Sequence, residues 1–212
     1  MNKINLPFDL IYCILLPTNN ERVENVKKQC ELINNVNVFN SIYIPNVYSL
    51  SKFLKQNDKF HWNGWGNGTA LNCTLNHYTV VKQAYDSNVN SVLVFEDDVA
   101  FNIENINEVM NNIPQNYNLL RFEWVKEFNG YVRKKERGYF TRTNKPSWGT
   151  QCYALDRKGM EYYLSYMEHQ LCCADVPLYN AYIYNNIKQY FCNIEICKEL
   201  DFKSTIQTGL IT

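Results

Sequence analysis

The stretch from residue 91 to residue 98 constrains this chain more than any other, because it reads Ser-Val-Leu-Val-Phe-Glu-Asp-Asp. A short run of apolar and β-branched residues predicts a buried strand, and this one ends abruptly in three consecutive carboxylates. In open α/β sheets, ligands bind in the crevice beyond the carboxyl ends of the strands, where these acids are expected. Three adjacent anions repel one another, so a divalent cation with hard oxygen ligands is the simplest compensation.

Side-chain alternation along a strand predicts how the three acids divide. Residues two apart share a face, so we expect Glu96 and Asp98 on one side and Asp97 on the other. Glu96 and Asp98 are therefore the candidate ligands of Mg²⁺ or Mn²⁺, whose remaining ligands are commonly substrate phosphates. The alternative is a solvated acidic turn, which the buried strand directly before the acids disfavours.

Composition narrows the class of partner. The chain of 212 residues has 21 basic and 21 acidic residues, so its formal net charge is zero and nucleic acid is not an expected partner.

The apolar residues 10–16 are too few to span a bilayer and lack the flanks of a signal peptide, so we expect a cytoplasmic protein without a transmembrane segment. Frequent asparagine and scarce alanine indicate an AT-rich coding genome, viral or microbial.

The order of predicted elements indicates an α/β fold. A strand over 10–16, a helix over 20–33 and a strand over 36–44 predict a parallel strand pair with a right-handed crossover. A helix over 69–87 then leads into the acidic strand. The later patterns predict helices over 103–113, 156–170 and 175–186, with Asp156 as the cap of the second of these, and strands over 119–124, 148–155 and 188–196. The chain has no evident linker, so we expect residues 1–212 to form one domain.

Two stretches lack a clear period. Residues 61–68 are rich in glycine and carry Trp62 and Trp65, so they predict a loop whose aromatic rings either stack on a sugar or base or plug the core. Residues 126–145 are basic and aromatic and predict a long hairpin or mobile loop.

Several short motifs occur in an order that is similar to one family. Residues 72–77 read Asn-Cys-Thr-Leu-Asn-His, residues 96–99 read Glu-Asp-Asp-Val, and residues 153–160 read Tyr-Ala-Leu-Asp-Arg-Lys-Gly-Met. With Arg22 before them and Asp175 and Ser204 after them, these motifs resemble glycosyltransferase family 25, the lipopolysaccharide and collagen β-galactosyltransferases. The Glu-Asp-Asp-Val run matches fully, whereas Asn72 and Asn76 replace a glycine and a serine beside Cys73 and His77.

The resemblance extends over about residues 10–206 and carries three implications. It implies a GT-A-type Rossmann-like domain with a mostly parallel central sheet flanked by helices. It also implies a nucleotide-sugar donor and transfer with inversion at the anomeric carbon. An inverting transfer needs a general base, and Asp175 is the candidate; the alternative for Asp175 is a helix N-cap.

Four further residues are candidates for binding the donor. Asp97 is expected at the ribose or sugar hydroxyls, and Arg22 at the diphosphate, although Arg22 can equally be a surface residue of the first helix. Thr18 lies in the first strand-to-helix loop, where nucleotide contacts or only a helix cap are expected. His77 matches the family motif, but a lone helical histidine is more often a packed structural residue.

We therefore predict an inverting, Mn²⁺- or Mg²⁺-dependent glycosyltransferase. It moves a hexose, galactose by the resemblance, from a UDP-sugar to a hydroxyl group of a glycan or a hydroxylated polypeptide. Two alternatives remain open from the sequence. One is another metal-dependent enzyme acting on a phosphorylated substrate, such as a nucleotidyltransferase or phosphohydrolase. The other is a catalytically idle carbohydrate-binding scaffold.

Overall fold

A seven-stranded sheet lies at the centre of the described part of the chain. The computed structural model describes residues 3–42, 68–122, 138–142, 148–169, 172–184 and 186–202. The sheet strands are β1 Leu10–Leu15, β2 Val36–Asn40, β3 Ser91–Glu96, β5 Leu119–Arg121, β6 Phe140–Arg142, β7 Cys152–Asp156 and β8 Gln189–Cys192. Their order is β2-β1-β3-β7-β5-β8-β6, and a separate two-stranded sheet joins β4 Val99–Phe101 to β9 Cys197–Glu199.

The directions of the strands confirm the predicted fold class. Strands β1, β2, β3, β5 and β8 run the same way, whereas β6 and β7 run in the opposite direction. The sheet is therefore mixed but mostly parallel. Strands β1 and β2 are parallel neighbours, and the first helix connects them along the chain, as the β-α-β pattern predicts.

Helices cover both faces of this sheet. They are α1 Asn20–Leu32, α2 Gly68–Asp86, α3 Ile103–Asn111, α4 Arg157–His169 and α5 Asp175–Asn180. In strand β3, Leu93 and Phe95 pack in the core on the side of α1 and α3, whereas Val92 and Val94 pack in the core on the side of α2 and α4. The period of two therefore sends each apolar side chain of this strand into one of two cores.

Several predicted boundaries of strands and helices are wrong. The strand predicted over 148–155 begins only at Cys152, and the strand predicted over 188–196 is β8, which ends at Cys192. Strand β9 lies just beyond the predicted range and belongs to the other sheet. The helix predicted over 175–186 ends at Asn180 and continues as the 3₁₀ turn Ala181–Ile183, because aromatic, β-branched and asparagine residues follow. Strand β6 lies within the predicted loop over 126–145, most of which falls outside the described residues.

No helix among the described residues combines the length and the apolar character needed to cross a bilayer.

The start of α4 depends on a close approach between two backbones. As predicted, Asp156 caps this helix, since its Oδ1 accepts a hydrogen bond from the Gly159 N–H at 2.7 Å. A Cβ atom on Gly159 would lie only 2.0 Å from the carbonyl oxygen of Asn118. Only glycine therefore lets α4 begin against the chain that enters β5.

We expect Gly159→Ala to lower the free energy of unfolding by about 3 kcal/mol, because the new methyl group displaces backbone rather than a flexible side chain. Urea denaturation measures this change. Gly138→Ala is the matched control: a Cβ atom there meets nothing within 4 Å, and only its φ of 95° opposes alanine, for about 1 kcal/mol. Equal losses in the two variants would refute the steric explanation.

Candidate active site

The three acids of residues 96–98 lie at the carboxyl ends of the parallel strands β1 and β3. Glu96 is the last residue of β3, and Asp97 and Asp98 form the turn that leads into β4. Only 3% of Asp97 and 6% of Asp98 is exposed, so these side chains do not form a solvated acidic turn. Two buried carboxylates require partners, because removing an unpaired charge from water is costly.

Arg22 compensates both aspartates at once. Its Nη1 pairs with Asp97 Oδ1 and lies 3.0 Å from Asp98 Oδ2, and the residue is only 8% exposed. The other oxygen of Asp97 accepts a hydrogen bond from the backbone N–H of Leu16 at 2.6 Å. The expected division of Glu96 and Asp98 from Asp97 is therefore wrong, because the chain leaves the strand at Glu96 and the period of two ends there.

Helix α1 holds the acidic turn through a buried polar stripe. Asn19 caps the helix by accepting hydrogen bonds from the N–H groups of Glu21 and Arg22. Asn25 Nδ2 donates to the carbonyl oxygens of Asp97 and Val99, both at 2.8 Å. One turn later, Gln29 donates to Asn25 Oδ1 at 3.1 Å and accepts from the N–H of Phe101 at 3.1 Å. Arg22, Asn25 and Gln29 thus lie one turn apart and fix the path of residues 97–101.

Glu96 is held from the opposite side of the sheet. Thr150 Oγ1 donates a hydrogen bond to Glu96 Oε1, and His77 Nε2 lies 3.4 Å from the same oxygen. The other ring nitrogen of His77 shares a hydrogen bond of 3.0 Å with the hydroxyl of Tyr153. His77 is 1% exposed, so its ring contacts Glu96 and Tyr153 from within the protein. Its expected donor-binding role stays a prediction, and its contacts support a role in orienting Glu96.

The two ends of the acidic run differ in charge state. Burial opposes ionisation of Glu96, but the neighbouring His77, Thr150 and Arg22 outweigh it and hold the pKa of Glu96 below its usual value. Burial and the charge of Glu96 raise the pKa of Asp98 to about 7, and Arg22 offsets this only in part. Asp98 Oδ1 is buried and has no hydrogen-bond partner among the described residues. A carboxylate oxygen with these properties fits a cation that would replace the proton.

A second group of side chains offers softer metal ligands. The ligand atoms of Cys73, His77 and Glu96 lie within 4.8 Å of one another. Such a set is typical of zinc. Burial and the charges of Glu96 and Asp175 raise the pKa of the Cys73 thiol well above its usual value, so a metal at this set, like a cation at Asp98, would have to displace a proton. The oxygens of Asp98 and Glu96 are harder ligands, of the kind that would suit Mg²⁺ or Mn²⁺.

Asp175 approaches the same site from α5. It is the first residue of that helix; the N-cap position belongs to Ala174, which makes no side-chain cap, so the N-cap alternative for Asp175 is wrong. Burial raises the pKa of Asp175 above its usual value, while its own N–H, the charge of Arg121 and the N–H of Gly149 oppose the rise. The charge of Glu96 also reaches Asp175, so the two carboxyl groups belong to one electrostatic cluster.

The comparison with known families identifies the family of this chain. The family model for glycosyltransferase family 25, described as an LPS biosynthesis protein, matches residues 8–177. The chain belongs to glycosyltransferase family 25. It is therefore a glycosyltransferase, and the matched region contains all the acids of the candidate site except Glu199. No curated protein matches the chain.

The remaining predicted residues of this glycosyltransferase lie at the edge of the site or outside the described residues. Thr18 is exposed in the loop between β1 and α1, and that loop touches the acidic turn through Leu16. Its donor-binding role stays a prediction. Trp62 and Trp65 lie outside the described residues, as does Ser204.

Sequence reasoning missed several residues that build the site. Arg121 is fully buried, and its Nη2 donates to the carbonyl oxygens of Gly149 at 2.7 Å and Trp148 at 3.2 Å. An arginine between Leu120 and Phe122 in a predicted strand was the available signal. Glu199, on strand β9, is electrostatically coupled to the site, since burial and the charge of Glu96 raise its pKa. The sequence pattern of the C-terminal residues does not predict this position.

In metal-free buffer, we expect Asp98 to make the protein less stable as the pH rises. The folded protein holds the Asp98 proton up to about pH 7, whereas an unfolded aspartate releases it near pH 4. Between these values the folded state binds more protons, so the free energy of unfolding falls with rising pH. Relative to Asp98→Asn, the wild type should lose on the order of 2 kcal/mol between pH 5 and pH 8.

Urea denaturation in the presence of EDTA at both pH values measures this difference. Asp86→Asn is the control, because Asp86 is exposed on α2 and pairs with Lys82. If the stability gap between wild type and Asp98→Asn is the same at both pH values, Asp98 does not hold a proton in the folded state.

Proposed function

We propose that this family 25 glycosyltransferase, acting as a single domain over residues 1–212, transfers a hexose from a UDP-sugar to a hydroxyl acceptor with inversion. By the family resemblance, the hexose is galactose. One observation carries the proposal: the buried oxygen Asp98 Oδ1 has no partner among the described residues, and Glu96 and Asp175 lie in the same electrostatic cluster. Such a cluster offers separate groups for a cation and for a proton.

The reaction needs one bond exchange and one proton acceptor. The bond between the anomeric carbon and the donor diphosphate breaks, and its electron pair leaves with UDP. The acceptor hydroxyl oxygen bonds to the opposite face of the anomeric carbon, and its proton passes to Asp175. Burial raises the pKa of Asp175, which brings its basicity closer to neutral pH and suits this role.

Asp98 and Glu96 are the residues that would hold Mn²⁺ or Mg²⁺. When bound, the cation supplies positive charge for the negative charge that develops on the diphosphate. Arg22 holds Asp98 from the side of α1, while His77 and Thr150 hold Glu96 from the opposite side of the sheet. Both candidate ligands are thus fixed before any ligand arrives, which lowers the cost of binding.

The alternatives make different predictions. Membership in a glycosyltransferase family argues against a nucleotidyltransferase or a phosphohydrolase. An idle scaffold would bind sugar without turnover, and a transfer assay therefore separates it from the proposed enzyme.

We expect UDP-galactose to raise the melting temperature only when Mn²⁺ is present. A ligand at 100 times its dissociation constant adds about 2.7 kcal/mol, which corresponds to roughly 5–10 °C for a chain of this size. Asp98→Ala should abolish the shift and leave the ligand-free protein folded. The control Asp86→Ala should keep the shift. A metal-independent shift, or a full shift in Asp98→Ala, would contradict the assigned cation ligand.

Asp175→Asn tests the base. The amide has the same shape but accepts no proton, so kcat for transfer should fall by about 10²–10⁴-fold. The Mn²⁺-dependent thermal shift with UDP-galactose should persist, which shows that the donor still binds. Radiolabel transfer measures kcat, and NMR of the product gives the anomeric configuration. A kcat within a few-fold of the wild type would exclude Asp175 as the base.

A further inference from the structure

A stacked aromatic pair, formed by the exposed Trp148 and the partly buried Tyr179, is connected to Asp175 through helix α5. The rings of Trp148 and Tyr179 stack with their centroids 3.9 Å apart and their planes at 25°. We call these two side chains the aromatic shelf. Tyr179 lies four residues after Asp175 on α5, so the two side chains project from the same side of that helix. Trp148 is 40% exposed, which leaves a large part of the indole open to solvent.

The backbone joins the aromatic shelf to both carboxylates of the cluster. The carbonyl oxygens of Trp148 and Gly149 accept hydrogen bonds from the fully buried Arg121. The backbone N–H of Gly149 opposes the rise in the pKa of Asp175, which places this amide near the carboxyl group, and Thr150 Oγ1 donates a hydrogen bond to Glu96. Trp148 directly precedes Gly149, and their Cα atoms are about 3.8 Å apart, so the indole is attached to the backbone one residue from the amide that influences Asp175. The positive φ of Gly149, 110°, lets the chain turn between these contacts.

The position of the shelf relates it to the acceptor rather than to the donor. The groups proposed for the cation and the donor diphosphate are Asp98, on the side of Arg22, and Glu96, which Thr150 contacts. Asp175 is proposed to receive the acceptor proton, and Gly149 and Tyr179 connect the shelf to Asp175. A molecule whose hydroxyl group reaches Asp175 therefore has its next atoms beside the indole.

An indole face suits one class of acceptor. The C–H face of a pyranose ring is apolar, and a rigid aromatic ring contacts it at a small entropic cost. We propose that the acceptor is a glycan whose terminal pyranose ring stacks on Trp148, with Tyr179 supporting the indole from behind. This inference rests on the proposed function, and it selects a sugar acceptor over a polypeptide hydroxyl group.

Saturation-transfer NMR tests the aromatic shelf with defined probes. The methyl β-glycosides of glucose, galactose and N-acetylglucosamine are offered to the wild type in the presence of UDP and Mn²⁺. We expect at least one glycoside to receive saturation from the protein, and Trp148→Ala to weaken its binding on the order of ten-fold. Trp148→Phe should restore most of the binding, because a smaller aromatic face remains. With the glycoside that binds, the ratio of galactose transfer to donor hydrolysis should fall to a similar extent in Trp148→Ala.

Two controls separate the possible failures. Tyr184→Ala removes another exposed aromatic ring, 44% exposed, that contacts Tyr162 away from the acids, and its glycoside binding should equal that of the wild type. Trp148→Ala should keep the Mn²⁺-dependent thermal shift with UDP-galactose, which shows that the acid cluster is still assembled. If the wild type lacks that shift, the proposed function fails. If the shift is present but no glycoside binds, or Trp148→Ala binds them like the wild type, only the aromatic shelf is refuted.

Discussion

The contact of Arg22 with Asp97 and Asp98 is the interaction on which the rest of the site depends. One guanidinium serves two buried carboxylates, so it cannot compensate both fully, and the pKa of Asp98 remains near 7. Asp97 has both oxygens engaged, by Arg22 and by the N–H of Leu16, and it therefore locks the turn. Asp98 keeps one oxygen without a partner among the described residues. A buried ion pair is weak evidence for stability, but here it decides which of two adjacent acids can meet a ligand.

The site also depends on contributions from both faces of the sheet. Helix α1 reaches the acidic turn from one face through its polar stripe. From the other face, His77 on α2 contacts Glu96, and Tyr153 on β7 hydrogen-bonds to His77. Strand β3 ends at Glu96, and the turn begins at Asp97. Glu96 is therefore held from one face of the sheet, whereas Asp97 and Asp98 are held from the other. This explains why a short acidic run can hold carboxylates with opposite pKa shifts.

The sequence predicts those features whose causes are local. The buried strand before Glu96, the parallel β1–β2 pair and the cap by Asp156 all follow from short patterns, and the structure contains each of them. Arg22 and Asp97 are 75 residues apart in the sequence, so no local pattern predicts their pairing. Apolar periodicity in α1 also does not identify the polar residues that this helix buries. Glu199 joins the site through a strand pairing that no local pattern encodes. The position of Asp175 came from the family resemblance rather than from a periodicity.

The opposite pKa shifts of Glu96 and Asp98, at the two ends of the acidic run, connect the electrostatics to the proposed chemistry. Glu96 is ionised throughout the neutral range, because its partners lower its pKa, whereas Asp98 shares a proton at neutral pH. A divalent cation would displace that proton and relieve the repulsion between the two carboxylates. Binding would therefore remove an unfavourable interaction that the ligand-free site contains. Sites that violate the usual rules of burial in this way are commonly functional. The fold tolerates this repulsion because α1 holds the turn of Asp97 and Asp98, while His77 on α2 contacts Glu96.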